Sequence, residues 1–240
     1  MKKPTIVILH GWGLSGEKFV PLASELKKRG YRVFFPDFPG FGSTEIPSHP
    51  LKLEDYARFL DQYLRENKIV QPVLIGHSFG GRVSLKYEQM YPKSVRALIL
   101  SGTPGFTPIN RKRLLSFILL AKIGGAFWSL PPFSLFKGVV QRWYYYLVGA
   151  REFYRAEGSM RQTFKNIVAE ELTSTMESVN IPCALIWGEN DAIISVAIAQ
   201  KMISTIPGAQ LSIIPNVDHR VPYKQPGIFA DYVEKFLKTL

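Results

Sequence analysis

Six short apolar runs punctuate the chain, at residues 5–9, 31–36, 72–76, 96–101, 183–187 and 209–214. They lack a regular in-and-out alternation, the pattern of strands buried on both faces of a parallel sheet covered by helices. Between them, apolar residues recur at helical spacing. Phe19, Leu22, Ala23 and Leu26 form one such stripe, and Leu53, Ala57, Leu60 and Leu64 a second. Tyr91-Pro92 predicts a helix stop before the fourth strand. Residues 226–240 predict a terminal helix that buries Phe229, Tyr232 or Val233, and Phe236. The alternation of strands and helices predicts an α/β domain built on a doubly wound, mainly parallel sheet.

The rhythm breaks between Gly102 and Ile181, a connection far longer than a simple crossover needs. Helical patterns run through residues 111–122, 134–149 and 151–170. The second carries Leu135, Val139, Trp143 and Tyr146 on one stripe, and the third carries Phe153, Met160, Phe164 and Ile167. Residues 114–136 are the most apolar stretch, but Lys122, Gly124-Gly125 and Pro131-Pro132 interrupt it, so no membrane-spanning helix is expected.

The third apolar run ends in Gly76-His77-Ser78-Phe79-Gly80, and a helical pattern follows at once. This is the G-x-S-x-G spacing in its strand–turn–helix context. A one-residue turn forces the serine into a strained backbone conformation, and flanking glycines supply the room. The hydroxyl then stands at a helix N-terminus, whose amides favour developing negative charge.

With this motif the chain resembles the α/β-hydrolase superfamily along nearly its whole length. His10-Gly11-Trp12-Gly13 follows the first strand, and Asp37-Phe38-Pro39-Gly40-Phe41-Gly42 the second. Trp187-Gly188-Glu189-Asn190-Asp191 follows the fifth strand, and His219 comes after the sixth. The resemblance implies strand order 2-1-3-4-5-6. Only four residues precede the first strand, so the family's first two antiparallel strands are expected to be missing. It also implies a helical cap inserted at residues 104–176, between core segments 1–103 and 177–240.

The resemblance assigns Ser78 as nucleophile, Asp191 as orienting acid and His219 as base, in the family's chain order. The other three histidines fit less well. His10 belongs to a loop-bracing position, His77 is locked inside the turn, and His49 lies in a polar loop. Among acids, Glu189 is the fallback, Asp218 adjoins His219 and diverges from it, and Asp37 sits where the family has a loop-bracing aspartate. The backbone N–H groups of Phe79 and Trp12 are expected to form the oxyanion hole. Trp12, Leu14, Phe79, Trp128 and Trp143 are expected to line the substrate pocket.

A serine nucleophile separates the chain from haloalkane dehalogenases and epoxide hydrolases, which carry aspartate there. The loop after His10-Gly11 lacks the Gly-Pro-Gly continuation of proline iminopeptidases. The run from Leu9 to Ser15 is similar to that of pimeloyl-carrier-protein methyl ester esterases. The expected activity is hydrolysis of carboxylic esters of small to medium acyl groups. Thioester, carrier-protein ester and carbon–carbon bond hydrolysis share the same triad, and a non-catalytic receptor on this fold is the rival from another class.

Composition changes this picture little. Hydrophobic residues make up 46% and charged ones 20%, which suits one globular domain of 240 residues. The lone Cys183 excludes an internal disulfide and reads as a buried inert thiol, compatible with a cytoplasmic location. The opening Met-Lys-Lys leads into an apolar run too short for a secretory signal. No cofactor or metal is expected. The net charge of +11 comes with no nucleic-acid recognition motif. It is concentrated between Pro104 and Asn166, where ten basic residues against two acidic ones leave +8. That concentration suits an acidic carrier protein or an anionic lipid surface as partner.

Overall fold

In the computed structural model, which describes residues 3–106 and 158–240, a six-stranded parallel sheet has the order β2-β1-β3-β4-β5-β6. The strands are β1 (Thr5–Leu9), β2 (Arg32–Phe34), β3 (Val73–His77), β4 (Ala97–Ser101), β5 (Cys183–Gly188) and β6 (Gln210–Ile214). A 3₁₀ turn (Gly16–Phe19) leads into α1 (Val20–Lys28). The other helices are α2 (Leu53–Glu66), α3 (Phe79–Met90), α4 (Gly158–Ala169), α5 (Thr173–Glu177), α6 (Val196–Ile203), α7 (Val221–Lys224) and α8 (Pro226–Leu237).

The period of two in a strand sorts its side chains between two cores. Val7, Leu9, Leu74, Leu98, Leu100, Leu185 and Trp187 point to one face, where Leu53, Ala57, Leu60, Val83 and Met202 cover them. Ile6, Ile8, Val73, Ile75, Ile99 and Ile186 point to the other, against Phe19, Leu22, Leu26, Phe229, Val233 and Phe236. In the last helix it is Val233 rather than Tyr232 that is buried. Register is continuous across the middle of the sheet, through Val7↔Leu74, Leu74↔Leu98 and Leu98↔Cys183. Local chemistry closes the helices. Asp55 accepts a hydrogen bond from the Lys52 N–H at 2.8 Å ahead of α2. Gly30, at φ +85°, ends α1 as Tyr31 N–H donates back to the Leu26 carbonyl at 3.1 Å.

The edges depart from the sequence expectation. Strand β2 keeps only Arg32–Phe34 of the expected 31–36, because it is paired with β1 over three residues. The opposite edge, β6, is largely accessible, with Ile213 38% exposed.

Of the expected helical segments in the long β4–β5 connection, residues 111–122 and 134–149, with Trp128 and Trp143, lie outside the described residues. So do most of the basic stretch and the first part of the third segment. The described part of that third segment is α4. Within the expected insertion, Met160 and Ile167 of α4 and, beyond that helix, Leu172 and Met176 pack into the core shared by α2, α3 and α6. Among the described residues, no helix is long and apolar enough to cross a membrane.

Position in the sheet sets the cost of a truncation. Ile99→Ala, in central and wholly buried β4, is expected to cost about 2–5 kcal/mol. Ile213→Thr on the exposed edge should change stability by no more than about 0.5 kcal/mol. Urea unfolding midpoints at unchanged slope measure both.

Candidate active site

The strand order reverses at β1, which lies between β2 and β3, and in open parallel sheets the crevice at such a switch point collects ligands at the strand C-termini. Residues 10–12 and Ser78 emerge side by side there, since Leu9 is in register with Gly76. Ser78 is the N-cap of α3, at φ 52° and ψ −112°, a region a side-chain-bearing residue rarely occupies. Two constraints hold it. Its N–H donates to the Ser101 carbonyl at 2.8 Å, and its own carbonyl accepts from Gly81 N–H at 3.0 Å. The flanking glycines are steric necessities: a Cβ on Gly80 would stand 2.1 Å from the Leu9 carbonyl oxygen, and one on Gly76 2.5 Å from the Gly81 Cα.

Asp191 and His219 come together from the loops after β5 and β6. His219 Nδ1 and Asp191 Oδ2 lie 2.7 Å apart, both side chains almost wholly buried. The other carboxylate oxygen, Oδ1, accepts the backbone N–H groups of Ile193 at 2.9 Å and Ile194 at 2.8 Å. These bonds aim Oδ2 at the imidazole, which then carries its proton on Nδ1 and leaves Nε2 as the acceptor. The pair lies next to the end of β4, because a Cβ on Gly102 would meet His219 Cε1 at 2.4 Å. Gly102 directly follows Ser101, whose carbonyl holds Ser78. Among the described residues, the Ser78 hydroxyl makes no hydrogen bond; such contacts commonly tighten only with substrate in place.

The rival acids are engaged elsewhere. Glu189 accepts the Asn216 N–H at 3.0 Å, and Asp218 pairs with Arg220. Asp37 binds Gly16 N–H at 2.6 Å with one oxygen, and Ser43 N–H and Oγ at 2.9 Å with the other. Burial alone would raise its pKa, but these donors, with the His10 ring nearby, hold it below the ordinary value.

The rival histidines are likewise placed. His10 accepts the Phe38 N–H at Nε2 (3.0 Å), so its Nδ1–H donates to the Gly11 carbonyl (2.8 Å), tying the first loop to the second. Burial lowers its pKa and keeps it neutral. His77 is fully enclosed, its ring 4.7 Å from that of His219. Burial, then the nearby His219, pushes its pKa well below the ordinary value. His49 lies exposed in a surface loop.

Phe79, whose N–H begins α3, packs its ring in an aromatic cluster with Tyr56 (4.9 Å), Phe38 (5.3 Å) and Trp12 (5.6 Å). It is core on three sides. Trp12 is only half-buried and also meets Phe41 at 4.9 Å and Phe164 of α4 at 5.1 Å. Leu14 lies beside the same turn: a Cβ on Gly11 would touch Leu14 at 3.5 Å and Ser78 Cβ at 3.4 Å. Among the described residues, no three His, Cys, Asp or Glu side chains converge as metal ligands would. Cys183 is buried, and burial pushes its thiol up to about 12.

The profile of the α/β hydrolase fold matches residues 4–121. The chain has the α/β-hydrolase fold. A Bacillus subtilis protein bearing the provisional name 2-succinyl-6-hydroxy-2,4-cyclohexadiene-1-carboxylate synthase is 28% identical over 98% of this chain and 90% of its own length. Lipase 1 of Psychrobacter immobilis is 26% identical over 89% of this chain and 70% of its own. Among solved structures, an esterase from Exiguobacterium antarcticum matches this fold with a TM-score of 0.74 at 18% identity, covering 99% of this chain and 93% of that one. A bromoperoxidase from Bacillus anthracis does so at 0.75 and 19%, covering 98% and 92%. The match to this fold and the lipase and esterase names among the similar proteins support a hydrolase.

Sequence reasoning missed one residue at this site and one that braces the connection beside it. Gly102 is one: a lone glycine after a strand carries no signal that an imidazole will lie against it. Arg82 is the other, and its contacts are described below.

The Asp37 carboxylate makes a pH prediction. Its folded pKa is below the unfolded value of about 3.9, so the stability it contributes is fully present above that value. It is lost as pH falls through the lower, folded value. Asp37→Asn should therefore be less stable than the native chain by a constant amount at pH 6–8, and the gap should close below about pH 4. Thermal melts across that range measure it.

Proposed function

We propose that the protein is a serine esterase acting on carboxylic esters of small to medium acyl groups. The observation that carries this reading is the strained Ser78 at the head of α3, with the buried His219–Asp191 pair on the neighbouring strand ends. In this reading His219 Nε2 takes the hydroxyl proton as Ser78 Oγ attacks the ester carbonyl carbon. The oxyanion that forms is held by the backbone N–H groups of Phe79 and Trp12. Collapse breaks the ester C–O bond, and the departing alkoxide receives the proton from His219. The acyl group remains on Ser78 until a water, deprotonated by the same Nε2, releases it as the acid and restores the serine. Asp191 holds the ring in the tautomer that leaves Nε2 free.

Trp12, Leu14 and Phe164 support an apolar acyl side to the pocket, since all three lie around the turn that carries Ser78. Acyl groups borne by an acidic carrier or an anionic lipid surface fit the same chemistry, and the basic stretch 104–166 is the part of the chain that would gather them. Salt that weakens turnover of such a substrate but not of a neutral ester is the expected sign.

Ser78→Ala should lower hydrolysis of an activated aryl ester on the order of 1000-fold or more without changing the fold. His219→Ala should do the same, whereas His49→Ala should leave the rate within about twofold. A fluorophosphonate should label Ser78 and no other serine. Label on a different serine, or a native chain that turns over no ester or thioester, overturns the proposal; the second result would favour a receptor.

A further inference from the structure

Arg82 lies one turn into α3, the helix that begins at Ser78, and its side chain is turned inward, the residue being 2% exposed. A buried guanidinium is expensive unless its donors are matched. Here the two terminal nitrogens go to backbone carbonyls, while Nε is buried with no partner among the described residues. Nη1 donates to the Pro104 carbonyl at 2.5 Å, and Nη2 donates to the carbonyls of Ile167, at 2.9 Å, and Glu170. Pro104 lies where the chain leaves β4. Ile167 and Glu170 lie in the last turn of α4 and just past it, where the chain returns. One side chain thus holds both roots of the β4–β5 connection. A cation at a helix C-terminus also complements the free carbonyls and the dipole there. Burial lowers its pKa to about 10, with Glu170 and Glu171 opposing, so it remains charged at neutral pH.

A second contact acts at the same place. Lys86, one further turn along α3, bridges Glu54 of α2 at 2.8 Å and Glu170 at 2.9 Å. The opposite end of α4 is anchored separately. Ser159 Oγ donates to the Pro47 carbonyl at 2.5 Å, and Leu51 N–H donates to Thr163 Oγ1 at 2.9 Å. Between these anchors α4 presents Phe164 to Trp12 and Met160 to the Gly40 turn.

We infer that Arg82 is a positioning residue that locks α4 to the nucleophile helix and so fixes Phe164 against Trp12 at the acyl side of the site. No other basic side chain could do this from the same position. Two nitrogens of a planar fork reach carbonyls on two separate pieces of chain, which a compact ammonium cannot match. The effect on substrates rests on the esterase reading above; the effect on α4 does not.

The test compares Arg82→Lys, which keeps the buried charge and loses the fork, with Arg82→Met, which loses both. Two readouts are taken: backbone amide exchange, and steady-state kinetics on acetyl and octanoyl aryl esters. Exchange is expected to quicken in residues 163–169 and remain unchanged in β3 and β4. KM for the octanoyl ester should rise about tenfold while kcat for the acetyl ester stays within about twofold. The Lys variant keeps the comparison alive if the Met variant does not fold. Uniformly faster exchange with every ester losing kcat in proportion would reduce Arg82 to a scaffold residue and overturn the inference. Unchanged exchange and kinetics in the Lys variant would overturn it as well. If the native chain hydrolyses no ester while exchange still quickens only in 163–169, the lock stands and the esterase reading falls.

Discussion

One strained residue sets conditions for everything near it. Ser78 adopts φ 52° without being glycine, a conformation that costs on the order of 1–3 kcal/mol. Such strain persists only where the surroundings over-determine it. The Ser101 carbonyl takes the Ser78 N–H, and α3 presses so closely on β1 that Gly80 has no room for a methyl group. The core around the first turns of α3, from the ring of Phe79 to the side chain of Val83, then resists any relaxation of the turn. The serine hydroxyl is thereby fixed at a helix N-terminus, where developing negative charge is favoured.

The neighbouring loops are held by polar groups used as braces. Neutral His10 takes one hydrogen bond from the second loop and gives one to the first, while Asp37 collects three donors from both. Arg82 plays the corresponding part for the β4–β5 connection, and the two amides of the 191–194 turn do so for Asp191. Each brace spends a buried polar group, tolerable because most of its hydrogen-bonding atoms are matched; Arg82 Nε is the exception among them. Loops alone would not keep side chains from four different strand ends in register. The sheet supplies their origins, and the braces supply their directions.

Much of this was legible in the chain itself. The six apolar runs became six strands, since a run so short between turn residues is too brief for a buried helix. The glycines around Ser78 announced the turn, because only a missing side chain permits so close an approach. Edge strands were less legible: an apolar run reads the same whether one neighbour or two will cover it, and β6 remained partly bare.

What only the tertiary structure decided is the pairing of groups far apart in sequence. Glu189, Asp191 and Asp218 are all carboxylates near the right strand ends, and local sequence argues only against Asp218, which adjoins His219. The fold gives the first to Asn216 N–H, the third to Arg220, and only the second to His219, whose ring lies 28 residues away along the chain. Arg82 reads in the sequence as an ordinary helix cation. Its inward turn depends on carbonyls 22, 85 and 88 residues away, which packing alone brings together. Periodicity and turn chemistry act over a few residues and determined the strands, the helices and the elbow. Hydrogen bonds between distant loops carry no local pattern, so the contact of Asp191 with His219, the bonds of His10 and the carbonyls that receive Arg82 were set by the folded chain.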